Sequence, residues 1–114
     1  MRPVPQFQLL RPTTVAEAAT LLRRPGARLV AGGTDLLPNL RRGLLDPRCL
    51  IDIGSMAGFD VVERHDGSWR IGAGVTLTRL ERHAGLAQAL PALVQAASQV
   101  AGPGHRSAAT LGGN

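Results

Sequence analysis

Apolar residues in the first half of the chain fall into short runs broken by glycine, proline and charge. Val15, Ala18, Ala19 and Leu22 recur at helical spacing. Thr14 and Glu17 stand three apart in front of them, the spacing of a capping box. Pro25-Gly26 ends that predicted helix. "ARLVA", from Ala27, is a short continuous apolar run that reads as a buried strand, and "CLIDI", 49–53, reads as a second. Between them Asp35 can cap a short helix over 36–42, closed by Gly43. Helix, strand, helix, strand is a βαβ-like order, so the two strands are expected to be parallel.

The pattern changes after Gly54. "FDVVER" and "SWRIGAG" flank His65-Asp66-Gly67, a good hairpin turn, so an antiparallel element begins there. "TLTRLERHAG" reads as a helix with a second capping box, Thr78 to Glu81. Pro91 suits the first turn of a helix over "PALVQAASQVA". "GPGHRSAATLGGN" reads as loop leading into a short last segment. The switch near Gly54–Gly58 predicts two small lobes, 1–56 and 57–114, within one α/β (α+β) domain.

Composition narrows the field. At 44% hydrophobic, the 114 residues can form a core. No apolar run of about 18 residues exists, so no membrane span is expected. "MRPVPQFQLLRP" lacks a long apolar stretch, which argues against a secretory signal and for a cytoplasmic protein. Cys49 is the single cysteine: it allows neither an internal disulfide nor a multi-cysteine metal site, and reads as a small hydrophobe in a strand. The net charge is +5 and every basic residue counted is arginine. Those arginines are scattered, and Phe7, Phe59 and Trp69 are the whole aromatic complement, so nucleic-acid binding is not expected.

Two double-glycine turns carry the candidate chemistry. In "LVAGGTD" a strand stops at Gly32-Gly33 and a helix follows; "ATLGGN" closes the sequence with Gly112-Gly113. Glycine tolerates positive φ and lets a ligand approach the backbone. Successive N–H groups in such a turn can converge on an anion, helped by a helix N-terminus. Each turn taken alone is also compatible with plain chain reversal. Together, each beside a threonine (Thr34, Thr110), they suit an elongated phosphate-bearing ligand. Other phosphate motifs fail: a Walker-type loop needs a lysine. Gly72-Ala73-Gly74 starts like a dinucleotide fingerprint but meets Leu77 at the sixth position, so those glycines read as strand-end packing or a bulge. His65 falls in the hairpin turn, His83 on a polar helix surface, and His105 in the last loop beside Arg106. No catalytic triad is suggested, so no residue is assigned as catalytic or metal-ligating. Any chemistry must be a cofactor's.

Along most of its length the sequence resembles the N-terminal part of the FAD-binding subunit of xanthine-dehydrogenase-type molybdenum hydroxylases. The resemblance is carried by "FQLLRPTTVAEAATLL", "ARLVAGGTDLLPNLRRG", "LIDIGSM", "WRIGAGVTLTRLE" and "RSAATLGGN", in that order and spacing. "VAGPGHRSAATLGGN" looks most like the flavin subunit of 4-hydroxybenzoyl-CoA reductase. The resemblance implies two α/β lobes of a vanillyl-alcohol-oxidase/PCMH-type FAD-binding domain, the second lobe incomplete. It implies FAD as cofactor, with the diphosphate held by Leu29, Val30, Ala31, Gly32, Gly33, Thr34, Asp35 and Leu36, and by Thr110, Leu111, Gly112, Gly113 and Asn114. Ala101 would lie beside the flavin. It further implies electron transfer between flavin and iron–sulfur clusters, with an iron–sulfur subunit and a molybdopterin-binding subunit as partners. Substrate chemistry would occur at molybdenum, and the external redox partner would be a nicotinamide, a quinone or a ferredoxin. Flavin subunits of the family run beyond the second double glycine, so the sequence reads as an N-terminal fragment. The alternative is a truncated, non-catalytic remnant or assembly module without bound flavin.

Overall fold

The computed structural model describes Pro3 and residues 5–114. The chain divides into two compact units, Met1–Ala57 and Gly58–Asn114. In the first unit the elements run β1 (Gln8–Leu10), α1 (Val15–Leu22), β2 (Ala27–Val30), α2 (Leu36–Arg41) and β3 (Cys49–Asp52). The sheet is parallel with order β1-β3-β2, pairing Leu9 and Arg28 with Leu50 from opposite sides. The last strand in sequence is thus the central one. Its continuous apolar run follows from that place: Cys49, Leu50 and Ile51 are all buried, as in a strand covered on both faces. The predicted parallel pair is β2 and β3. The strand β1, on the far side of β3, gave no periodic signal because it is only three residues long.

Helix α1 starts where the capping residues place it. Thr14 Oγ1 accepts from the Glu17 N–H at 3.1 Å. The return bond differs from the ideal box: Glu17 Oε2 accepts from the Thr13 N–H at 3.1 Å, one residue earlier than expected. The inward face also differs. Ala18 is buried, whereas Val15 and Leu22 are exposed and Ala19 lies with them. A two-turn helix on a three-stranded sheet needs only a narrow contact, and the small side chain of Ala18 lets it approach.

The second unit runs β4 (Val62–His65), β5 (Ser68–Ile71), α3 (Leu77–Glu81), α4 (Ala84–Ala89), α5 (Pro91–Ser98) and α6 (Pro103–Ala108). The hairpin is antiparallel with His65 opposite Ser68, joined by Asp66 (φ 47°) and Gly67 (φ 82°), as a two-residue primed turn requires. Its core gathers Val75, Leu77, Leu80, Leu86, Ala97 and Ala109, with Trp69 and Ile71 from the hairpin packed against it. Helix α3 packs on α5 and α6, and α4 on α5.

Four expectations change here. The capping residue of α3 is Thr76, whose hydroxyl accepts from the Arg79 N–H, and not Thr78. The single helix expected over 76–85 is two, because His83 Nδ1 accepts from the Leu86 N–H and starts α4. His83 is therefore a cap, set edge-on to Trp69 at 5.5 Å, and not a surface residue in mid-helix. The last loop contains helix α6, with Gly102 before it and Pro103 at its first turn. The reading of Gly72 and Gly74 holds: a Cβ at Gly74 would stand 2.8 Å from the Phe59 carbonyl oxygen, where the backbones meet.

Candidate functional site

In the first unit the candidate residues are contiguous. Leu29 and Val30 end β2, and Leu36 opens α2; Ala31 to Asp35 form the connection. Gly33 has φ +72°, the left-handed region that glycine adopts without penalty. A Cβ there would lie 3.1 Å from Leu37 Cδ1. Among the described residues, the N–H groups of residues 32 to 36 donate to no backbone carbonyl. None of the backbone-to-side-chain bonds involves them either. Asp35 occupies the N-cap position of α2 without capping it. Its carboxylate accepts from Asn39 Nδ2 at 3.3 Å instead. The cap expected from Asp35 is thus absent: the Leu37 N–H donates to the Gly33 carbonyl at 3.1 Å instead, and Pro38 has no N–H to offer. Five successive donors, no Cβ at the positive-φ residue and a helix start make an arrangement that fits an anionic oxygen group such as a diphosphate.

The second double glycine is built otherwise. Thr110 pairs with Thr76 in an antiparallel bridge. The Leu111 N–H donates to the Val75 carbonyl at 2.9 Å and the Gly112 N–H to the Ala73 carbonyl at 2.8 Å. The Gly113 N–H donates to Thr110 Oγ1 at 3.2 Å. Three of its amides are therefore committed within the chain, and neither glycine has positive φ. Gly112 is needed for close approach: a Cβ there would lie 2.7 Å from Ala73 Cβ. The two turns thus differ: the amides of residues 111–113 are bonded within the chain, and those of residues 32–36 are not. The second is a strap fixed to residues 73–77, and Asn114 follows it.

Ala101, also in the second unit, is exposed and has φ 46°. Helix α6 separates it from Thr110. The sequence reading missed what surrounds it. Arg106 donates to the carbonyls of Val100 and Ala101 and pairs with Glu81. The signal was Gly102-Pro103, a helix-start dipeptide that would have placed Arg106 on a helix and not in a loop. His65 ends β4, and His105 lies exposed on α6. No group of three or more His, Cys, Asp or Glu side chains able to hold a metal ion occurs among the described residues. Cys49 is buried with a free thiol, as expected.

Comparison with known proteins decides the family. The FAD binding domain in molybdopterin dehydrogenase matches residues 5–114. The chain belongs to this family. The FAD-binding subunit of xanthine dehydrogenase from Escherichia coli O157:H7 is 44% identical over 108 residues, covering 91% of this chain and 36% of that protein. The nicotinate dehydrogenase FAD-subunit of Eubacterium barkeri is 35% identical over 112 residues, covering 95% of this chain and 38% of that protein. Among solved structures, carbon monoxide dehydrogenase from Hydrogenophaga pseudoflava superposes with a TM-score of 0.93 at 32% identity, over 97% of this chain and 39% of that one. This FAD-binding domain thus spans under two-fifths of the length of these relatives. Its cofactor is FAD, and its mixed α/β fold is that of the medium subunits of such dehydrogenases.

Proposed function

We propose that this chain forms part of the FAD-binding subunit of a molybdenum hydroxylase-type complex, with its flavin diphosphate on the loop Leu29 to Leu36. The observation that carries this is the row of unpaired N–H groups at residues 32–36. Two phosphates linked by one oxygen present several acceptors a few ångströms apart, which suits successive amides better than a single side chain. Backbone donors also explain how the site manages without lysine. Gly33 gives the loop its positive φ, and Thr34, half-buried beside it, offers a hydroxyl to the same group. The segment Thr110 to Asn114 of the second unit is assigned to FAD as well. Its strapping to residues 73–77 gives it a fixed direction. Ala101 stands beside the flavin ring. Bound FAD supplies the redox chemistry, exchanging electrons one or two at a time. The protein's part is to hold and orient it and to exclude competing reactions.

Partners and location belong to the same reading. The complex would include an iron–sulfur subunit and a molybdopterin-binding subunit and would reside in the cytoplasm. No helix among the described residues is long and apolar enough to cross a membrane. The named relatives act in xanthine, nicotinate and carbon monoxide systems, so the domain's kinship does not select a substrate. The test is Gly33→Val in the full-length protein. A β-branched residue resists positive φ, and its Cβ would press on Leu37 Cδ1 at 3.1 Å, so the loop that carries the open amides would have to shift. Flavin content after purification, read from visible absorbance against protein concentration, should fall to a small fraction of the parent's. Stoichiometric flavin in the variant would refute the assignment of this loop.

A further inference from the structure

Of the two non-glycine residues at positive φ among the described residues, Asp66 and Ala101, the first is explained by its two-residue hairpin. Ala101 lies in no hairpin. Its φ of 46° is unfavourable for an L-residue, and alanine has no polar side chain to compensate locally. Such a conformation persists only where its surroundings hold it. Here Val100 packs against the core, Gly102 caps α6, and one side chain bonds the turn's own carbonyls. Arg106 Nη1 donates to the Ala101 carbonyl at 2.9 Å and to the Val100 carbonyl at 3.3 Å. Its Nε donates to Glu81 Oε2 at 3.2 Å. The Arg106 side chain is only 13% exposed, so these bonds are partly shielded from water.

The geometry explains why the residue is arginine. Three acceptors, one carboxylate oxygen and two carbonyls, are reached by two nitrogens of one planar group. A lysine ammonium is a point donor on a flexible stem and cannot reproduce that fork. The anchor is also well founded: Glu81 is the last residue of α3, whose Leu77 and Leu80 belong to the core. Arg106 sits on α6, five residues after Ala101 and four before Thr110. It therefore stands between the two segments of this unit that we assign to the flavin.

We infer that Arg106, anchored by Glu81, is a positioning residue for FAD: it holds the Ala101 turn in its left-handed conformation, the conformation that receives the flavin. The inference rests on the placement of Ala101 at the flavin given above. Without Arg106 the turn relaxes to negative φ, and FAD must restore the strained form on binding, so affinity falls.

The experiment measures FAD dissociation constants by flavin fluorescence on the full-length protein after flavin removal, together with the thermal midpoint of the flavin-free form. Arg106→Gln should weaken FAD about tenfold, equivalent to 1.4 kcal/mol. Arg106→Lys should not restore it. Adding Ala101→Gly to Arg106→Gln should recover most of the affinity, because glycine populates positive φ unaided. A merely structural ion pair would lower the thermal midpoint of the single and double variants alike, with no recovery of affinity. That result overturns the inference. So does parental affinity in Arg106→Gln. If Arg106→Gln does not fold, Glu81→Gln is read in the same way: weaker FAD restored by Ala101→Gly supports the inference, and unchanged affinity overturns it. Gly33→Val, measured in parallel, separates the two ideas. Loss of flavin there with unchanged affinity in Arg106→Gln leaves the FAD site standing and removes only the positioning role.

Discussion

Replacing Gly112 by alanine separates the two double glycines by their physics. The added Cβ would stand 2.7 Å from Ala73 Cβ and 3.1 Å from the Ala73 carbonyl oxygen. Real Cβ atoms do not approach other atoms so closely, and neither neighbour is the free end of a long side chain. The backbones must separate. Overpacking of this kind costs about 1–3 kcal/mol. Separation also stretches the 2.8 Å bond from the Gly112 N–H to the Ala73 carbonyl, worth about 1 kcal/mol. The sum is a loss of roughly 2–4 kcal/mol. In urea, with a slope of about 1–3 kcal/mol per molar, the unfolding midpoint should drop by on the order of 1–2 M. The assay is urea unfolding of the flavin-free full-length protein, followed by Trp69 fluorescence, since Trp69 packs against the core of the same unit. A midpoint unchanged within about 0.2 M, where the slope makes the expected shift several times larger, would refute the claim that Gly112 is required by close packing.

Two further outcomes follow from the same structure. Thr76→Ala should destabilise by about 0.5–2 kcal/mol through loss of the α3 cap, while Thr78→Ala, whose side chain caps nothing, should stay within about 0.5 kcal/mol of the parent in the same urea assay. Gly33→Ala carries the positive-φ penalty, about 1–2 kcal/mol, with less bulk than valine, so it should retain more flavin than Gly33→Val and less than the parent.

Much of the fold could be read from the sequence, and what escaped did so for identifiable reasons. The strands around Leu29 and Leu50 and the hairpin at Asp66-Gly67 are strong local signals, because burial and turn chemistry act on adjacent residues. The N-cap of α3 was misplaced by two because both Thr76 and Thr78 precede apolar helix positions; only the path of the chain decides which hydroxyl faces the free amides. His83 as a cap, and the inward turn of Ala18 in place of Val15 and Leu22, depend on tertiary contacts that periodicity does not encode. At the candidate site, both glycine pairs were visible, yet they looked alike. Their difference lies in long-range partners: residues 73–75 take the amides of the second turn, and nothing among the described residues takes those of the first. Arg106 was hidden for a compositional reason. In a chain whose basic residues are all arginine, the choice of arginine at one position carries no information until its acceptors are seen.

Amide hydrogen exchange on the full-length protein, with and without FAD, tests the open amides of residues 32–36 directly. In the flavin-free protein these amides lack acceptors among the described residues and should exchange rapidly. The Leu111 and Gly112 amides, already bonded to Val75 and Ala73, should exchange slowly in both states. On FAD binding, protection should rise sharply across residues 32–36. Exchange in that loop that stays as fast with saturating FAD as without it would contradict the claim that these amides hold the flavin diphosphate.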